Sequence, residues 1–216
     1  MKRFYTLLLV AVLPLSAFAQ KLDIGLGVKA GANFSQINGK YWENGYKANF
    51  LGGVFLAVNG KRLGGQIEGL FSQSTYNTGE GFYDIYHDFY NNVKDSAKQG
   101  SMQVNYLSIP VLLNIRLFPR AIIQVGPQYS GVVSVNDKDE LLKDAKDLFK
   151  SGSLDGVVGL WINLPARFNI GARYIFGLSN INKVDETTIS NGSTGQQIDD
   201  SWKQRTLQVH IGYSIL

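Results

Sequence analysis

Between residues 106 and 117, Leu107, Ile109, Val111, Leu113, Ile115 and Leu117 alternate with Tyr106, Ser108, Pro110, Leu112, Asn114 and Arg116. Successive strand side chains point to opposite faces, so a period of two marks a strand with one apolar and one more polar side. The same dyad recurs from Ile24 to Phe34, from Leu63 to Phe71, from Ile123 to Val133, from Phe168 to Leu178 and from Leu207 to Ile215. Residues 49–59 and 154–164 complete a set of eight, although their phase is ambiguous because apolar residues fall on both sides. Eight segments of about ten residues with a dyad repeat are the pattern of a transmembrane β-barrel.

The connections alternate in length. Asn59-Gly60-Lys61, Phe118-Pro119-Arg120 and Leu164-Pro165-Ala166 are short turns, the first with an Asn-Gly hairpin signal. Residues 35–48, 74–102, 135–153 and 180–204 are long. Short turns at one end and long loops at the other are the bacterial outer-membrane arrangement. The expected fold is therefore all-β: an eight-stranded antiparallel up-and-down transmembrane β-barrel, with both termini periplasmic and four long loops outside the cell.

The chain's start supports export. Lys2-Arg3, the apolar run from Leu7 to Leu13 and the small-x-small site Ala17-Phe18-Ala19 have the layout of a secretory signal peptide. Cleavage is expected after Ala19, leaving residues 20–216 as the barrel domain. The apolar run is too short for a spanning helix. Zero cysteine excludes disulfide scaffolds, thiolate metal sites and a lipid-anchored N-terminal cysteine. Without Lys2 and Arg3, the 21 basic residues fall to 19 against 17 acidic ones, too even a balance for a nucleic-acid partner.

A soluble lipocalin-like barrel would also follow a signal peptide, but its polar face would meet water and carry Lys and Glu in quantity. Here most charges lie in the expected loops, and the polar faces hold Lys29, Gln66, Glu68, Asn114, Arg116, Gln124, Gln128 and Arg173. The apolar face is therefore expected to meet lipid, with Phe34, Phe71, Phe118, Phe168, Tyr174, Phe176 and Tyr213 as interfacial girdles. Their shared inward phase predicts that Lys29, Glu68, Arg116 and Arg173 form an interior polar network.

Tyr106-Leu107-Ser108-Ile109-Pro110-Val111-Leu112-Leu113-Asn114 resembles the tyrosine-leucine-x-isoleucine-proline strand of the PorT-like outer-membrane β-barrel family of Bacteroidetes. Ala172-Arg173-Tyr174-Ile175-Phe176-Gly177-Leu178 is similar to that family's arginine-tyrosine-x-x-glycine-leucine strand. The opening Gly27 to Phe34 and the final Leu207 to Tyr213 fit as well. The resemblance implies an outer-membrane barrel whose name-giving relative is associated with protein secretion and the maturation of secreted proteases. The chain departs from the family pattern at Ser108, where an acidic residue is common. It also ends in Leu216 rather than an aromatic residue, from which a weaker insertion signal is expected.

Catalytic chemistry finds no support. No serine stands in a nucleophile-elbow context, and Gly25-x-Gly27-x-x-x-Gly31 has the wrong spacing for a dinucleotide loop. No catalytic residue, cofactor or metal is expected. Asp84, His87 and Asp88 form only a weak candidate ligand set, with no geometry fixed by a loop, and His210 reads as a hydrogen-bonded interior histidine. Tyr76, Phe82, Tyr83, Tyr86, Phe89 and Tyr90 form a candidate loop contact surface, the alternative being a loop folded over the barrel mouth. Asp137 to Lys150 reads as a short amphipathic helix, with Leu141, Leu142, Ala145, Leu148 and Phe149 on one stripe. The expected function is a structural or interaction role in secretion or envelope maintenance. The expected partners are outer-membrane lipid and, through the long loops, envelope or secretion proteins, with the barrel itself a monomer. The alternative is a narrow pore or a ligand-binding barrel for a small solute.

Overall fold

The computed structural model describes residues 22–90, 99–143, 145–184, 188–189, 196–197 and 200–216. The expected signal peptide, residues 1–19, lies outside them. Eight strands close into one antiparallel barrel: β1 (Asp23–Asn38), β2 (Lys47–Asn59), β3 (Leu63–Asn77), β4 (Ser101–Arg116), β5 (Ala121–Asp137), β6 (Gly152–Asn163), β7 (Phe168–Gly177) and β10 (Lys203–Ser214). Each barrel strand pairs with its neighbours in sequence, and β10 closes on β1 from Gly27↔Ser214 to Asn38↔Lys203. Closure leaves no edge strand with unpaired backbone groups, which hydrocarbon would not tolerate. A two-residue ribbon, β8 (Thr188–Ile189) with β9 (Gln196–Gln197), lies in the last loop.

Burial inverts the order of a water-soluble barrel. Along β4 the apolar set Leu107, Ile109, Val111 and Leu113 is exposed, Val111 by 52%, while Asn114 on the opposite phase keeps only 2%. Both ambiguous segments are settled: Phe50, Val54, Leu56 and Val58 of β2 face out while Leu51, Phe55 and Ala57 face in. On β6, Leu154, Val158 and Leu160 face out while Ser153, Asp155, Val157 and Trp161 face in. The outward rings gather towards the two ends, where Phe168 and Tyr213 meet edge to face at 5.2 Å and Phe50 lies 6.0 Å from Phe71.

An eight-stranded barrel has room inside only for side chains, and small residues set where large ones fit. The Phe55 ring lies over Gly27, and a Cβ on Gly159 would stand 2.5 Å from Cγ of Arg173.

At the loop end the chain departs from expectation. Among the described residues, the predicted helix over Asp137 to Lys150 is reduced to a single 3-10 turn, Ala145–Leu148. Asp137 accounts for this: its carboxylate accepts from the backbone N–H groups of Asp139 at 3.1 Å and Leu142 at 2.8 Å, competing with helical bonding. The predicted stripe is buried nonetheless, as Leu141, Leu142, Ala145, Leu148 and Phe149 all enter the core of the cap.

Candidate functional site

The lumen is built in layers, and its middle layer carries the charge. β3 delivers Glu68, β1 Lys29, β7 Arg173 and β5 Gln124, all inward by strand phase and all buried. Lys29 Nζ donates to Glu68 Oε2 at 2.8 Å. Arg173 donates to both Glu68 oxygens, Nη1 at 2.8 Å and Nη2 at 2.7 Å. The amides complete the shell: Gln66 donates to Glu68, Arg173 Nε donates to Gln124 at 3.1 Å, and Gln124 Nε2 donates to Asn114 at 2.9 Å. A bidentate guanidinium–carboxylate pair is both strong and directional.

Three of the four predicted network residues therefore meet. Arg116 does not join them. It shares their phase but is the last residue of β4, half-buried at the turn end, and Asn114 one dyad deeper takes the inward position beside Gln66 and Gln124.

Above this layer Leu112, Val157 and Ile175 form an apolar plug. A second polar layer follows, in which Ser130 donates to Asp155 at 2.9 Å and Ser108 to Ser130 at 3.0 Å. Lys29, Arg173, Glu68 and Asp155 thus leave the interior with matched positive and negative charge. His210 also faces in, its ring 5.4 Å from that of Trp161. Contrary to expectation, neither ring nitrogen has a protein hydrogen-bond partner among the described residues.

The mouth at the loop end is closed by an aromatic core. Trp42, Tyr76, Phe82, Tyr86, Tyr90, Phe149 and Trp202 are buried together. Trp42 and Trp202 meet edge to face at 4.8 Å, and Phe82 stacks on Tyr86 at 4.5 Å. The six-residue contact surface predicted for this loop is thereby corrected: Tyr76, Phe82, Tyr86 and Tyr90 point into the cap and only Tyr83 and Phe89 stay partly accessible. Amphipathic rings facing a wide barrel mouth gain more from burying together than from facing water.

Polar pins fix the cap. α1 (Phe82–Tyr86) presents Tyr86, whose hydroxyl donates to Asp200 Oδ2 at 2.9 Å, and Trp202 Nε1 donates to the same oxygen at 2.8 Å. Asn182 Nδ2 donates to the Tyr86 hydroxyl oxygen at 2.9 Å and to the Asp200 carbonyl at 2.8 Å. Burial, reinforced by the Asp200 carboxylate, holds the Tyr86 hydroxyl well above the ordinary phenol range. Burial and then Asp137 push Tyr90 up to about 12. Backbone bonds stitch the loops together, among them Lys143 N–H to Phe89 O at 2.9 Å and Lys183 N–H to Leu148 O at 3.0 Å.

Sequence reasoning passed over Trp42, Asn182, Asp200 and Trp202. The available signal was two tryptophans in otherwise polar loops. Of the weak metal candidates, His87 has Nδ1 3.3 Å from the Asp84 carbonyl oxygen, and the Asp88 side chain lies outside the described ones.

At the turn end the barrel opens into a vestibule of about 250 Å³, lined among others by Asn59, Gln66, Asn114, Trp161 and Asn163. Its amides are engaged with one another: Asn114 Nδ2 donates to Asn59 at 3.0 Å and Trp161 Nε1 to Asn163 at 2.9 Å.

A closed barrel, apolar outside, cross-linked inside and capped at one mouth, defines a small transmembrane β-barrel protein. The chain belongs to the outer membrane protein beta-barrel domain family, whose model matches residues 18–183, and the protein is located in the bacterial outer membrane. Among curated proteins none matches. Among solved structures the chain is similar to Ail, the attachment invasion locus protein of Yersinia pestis, solved in complex with the heparin analogue sucrose octasulfate, at 14% identity and a TM-score of 0.46, over 89% of this chain and 99% of that one. It is also similar to Neisserial surface protein A, at 9% identity and a TM-score of 0.45, over 91% of this chain and 100% of that one.

Proposed function

We propose that this chain is a closed, non-enzymatic barrel of the PorT-like kind, acting as a structural and interaction element of the envelope. Its capped loop end faces outward and its short turns face the periplasm, as is usual for such barrels. The observation that carries this reading is the blocked lumen: Glu68 tied to Lys29 and Arg173 across the barrel, under an apolar plug and an aromatic cap. With the loop aromatics turned inward, what remains for partners is the polar loop exterior, including the exposed Glu43 and Tyr46.

The reading is tested by planar-bilayer recording on the purified protein, which should show no single-channel steps above background. Appreciable conductance overturns it. A photo-crosslinker at Tyr46 in native envelopes should capture a protein partner that the same probe at lipid-facing Leu113 does not. The Tyr106–Asn114 and Ala172–Leu178 motifs support the PorT-like assignment, and deletion in the native bacterium should impair maturation of secreted proteases.

A second reading rests on the vestibule. Its amides and the Trp161 edge suit a small neutral polar solute, and native mass spectrometry of the purified protein would then show a bound solute of matching mass.

A further inference from the structure

All three short turns lie at the end of the barrel where β1 begins and β10 finishes, and each brings a cation. Lys61 and Arg62 sit in the first, Arg116 and Arg120 flank the second, and Arg167 closes the third. Among the described residues Asp23 is the one acidic side chain at this end, and none of the five cations is ion-paired with a carboxylate. Hydrogen bonds to backbone carbonyls make the positions contiguous. Arg116 N–H donates to Arg62 O at 2.8 Å, Asn163 N–H donates to Arg120 O at 2.8 Å, and Arg167 Nη1 donates to Ile215 O at 2.6 Å. The cations thus form an arc from the first turn to the end of β10.

The exposed cations Lys61, Arg62, Arg120 and Arg167 stand beside exposed apolar side chains of the lipid-facing wall, whereas Arg116 is half-buried on the inward phase. Leu63 follows Arg62, Leu117 and Phe118 separate Arg116 from Arg120, and Leu164 and Phe168 flank Arg167. Phe118, 68% exposed, is the most open of these side chains. A cation at the rim of an apolar belt sits at headgroup level, its stem over hydrocarbon and its charge among phosphates. Continuity with that belt selects lipid over a soluble anion, and the shortage of acids selects a headgroup with net negative charge.

We propose that this arc is a binding surface for anionic phospholipid headgroups in the leaflet that meets the turns. Naming that leaflet periplasmic rests on the orientation proposed above; the binding itself does not. The test uses the purified full-length barrel in neutral-detergent micelles doped with phosphatidylglycerol or phosphatidylcholine, with retained lipid counted by native mass spectrometry. Each cation near a lipid surface strengthens binding about five-fold, so phosphatidylglycerol should be retained several-fold over phosphatidylcholine. The K61Q/R62Q/R120Q variant should lose that preference, and R62K/R120K should keep it. Arg167 is left intact because it also holds the β10 terminus. Heat-modifiable mobility on gels shows whether each variant is folded. Equal retention of the two lipids by the wild type overturns the proposal, as does a preference that survives in the folded triple variant. Saturation of the arc by inorganic phosphate, or capture of an acidic periplasmic protein without lipid selectivity, overturns it too. None of these failures touches the reading of the loop end.

Discussion

Glu68 and Arg173, 105 residues apart in sequence, meet as a two-pronged pair inside the barrel, with Nη1 and Nη2 reaching the two carboxylate oxygens at 2.8 and 2.7 Å. Lys29 adds a third donor to the same carboxylate. One acid therefore answers two cations, and Asp155 in the layer above restores neutrality. Removing a single partner from a buried ion pair costs about 3–5 kcal/mol, because the remaining charge is left uncompensated. Glu68→Ala should accordingly lower the unfolding midpoint of the detergent-solubilised barrel by a large margin. The double variant Glu68→Gln with Lys29→Met, which restores the balance of charge, should recover much of the loss. Thermal unfolding followed by gel mobility separates the two outcomes, and equal stability of the single and double variants would refute the charge-balance argument.

The Arg173 side chain is placed by a missing methyl group. Gly159 faces it across the β6–β7 ladder, and a Cβ there would lie 2.5 Å from Arg173 Cγ and 2.7 Å from the Ala172 carbonyl oxygen. Backbone cannot withdraw from a closed ladder as a side-chain tip can. Gly159→Ala should therefore destabilise the barrel by about 1–3 kcal/mol, the usual cost of overpacking. Gly52→Ala, at an outward position where a Cβ would meet only the Lys29 carbonyl oxygen at 3.8 Å, an ordinary contact, serves as the control and should be nearly neutral.

These contacts differ in how far the sequence foretells them. The period of two marks Glu68, Lys29 and Arg173 as inward because their flanking residues are plainly apolar and outward. Asp155 escaped notice because Val157, Val158, Leu160, Trp161 and Ile162 make both faces of β6 apolar. That mixture is physical: a narrow lumen accepts Phe55, Leu70, Leu112 and Ile175 beside its amides, so the binary pattern weakens where apolar groups pack inside. Arg116 marks another limit, since phase assigns a face but not a depth along the axis. The cap was the least legible part. Loops have no period, and its central contact joins Tyr86 to Asp200 across 114 residues.

Asp200 gathers three donors, from Tyr86, Trp202 and the backbone N–H of Lys40 at 3.2 Å. It thus ties the first, second and last loops to one carboxylate. Asp200→Ala leaves the buried Tyr86 and Trp202 donors unsatisfied, at a cost of about 1–3 kcal/mol for each group concerned. The cap should then open while the barrel persists. Limited proteolysis should cut the loops of the variant faster than those of the wild type, with gel mobility of the barrel unchanged.

Alkaline pH should loosen the same region. With the cap closed, burial keeps Tyr86 and Tyr90 protonated above the usual phenol range, Tyr90 to about 12. With it open, both would ionise near ~10. The raised values mean that the closed cap has its full stability below about pH 10 and loses it as pH climbs through the shifted values, by up to about 1.4 kcal/mol per pH unit for each tyrosine. Emission from Trp42 and Trp202 in the cap should stay constant at neutral pH and shift to the red only above about pH 10. Tyr86→Phe should make that dependence shallower, since one ionising group is gone, while weakening the cap at neutral pH through the lost bond to Asp200. Emission that shows no transition through pH 12 would mean that these hydroxyls do not help to hold the mouth closed.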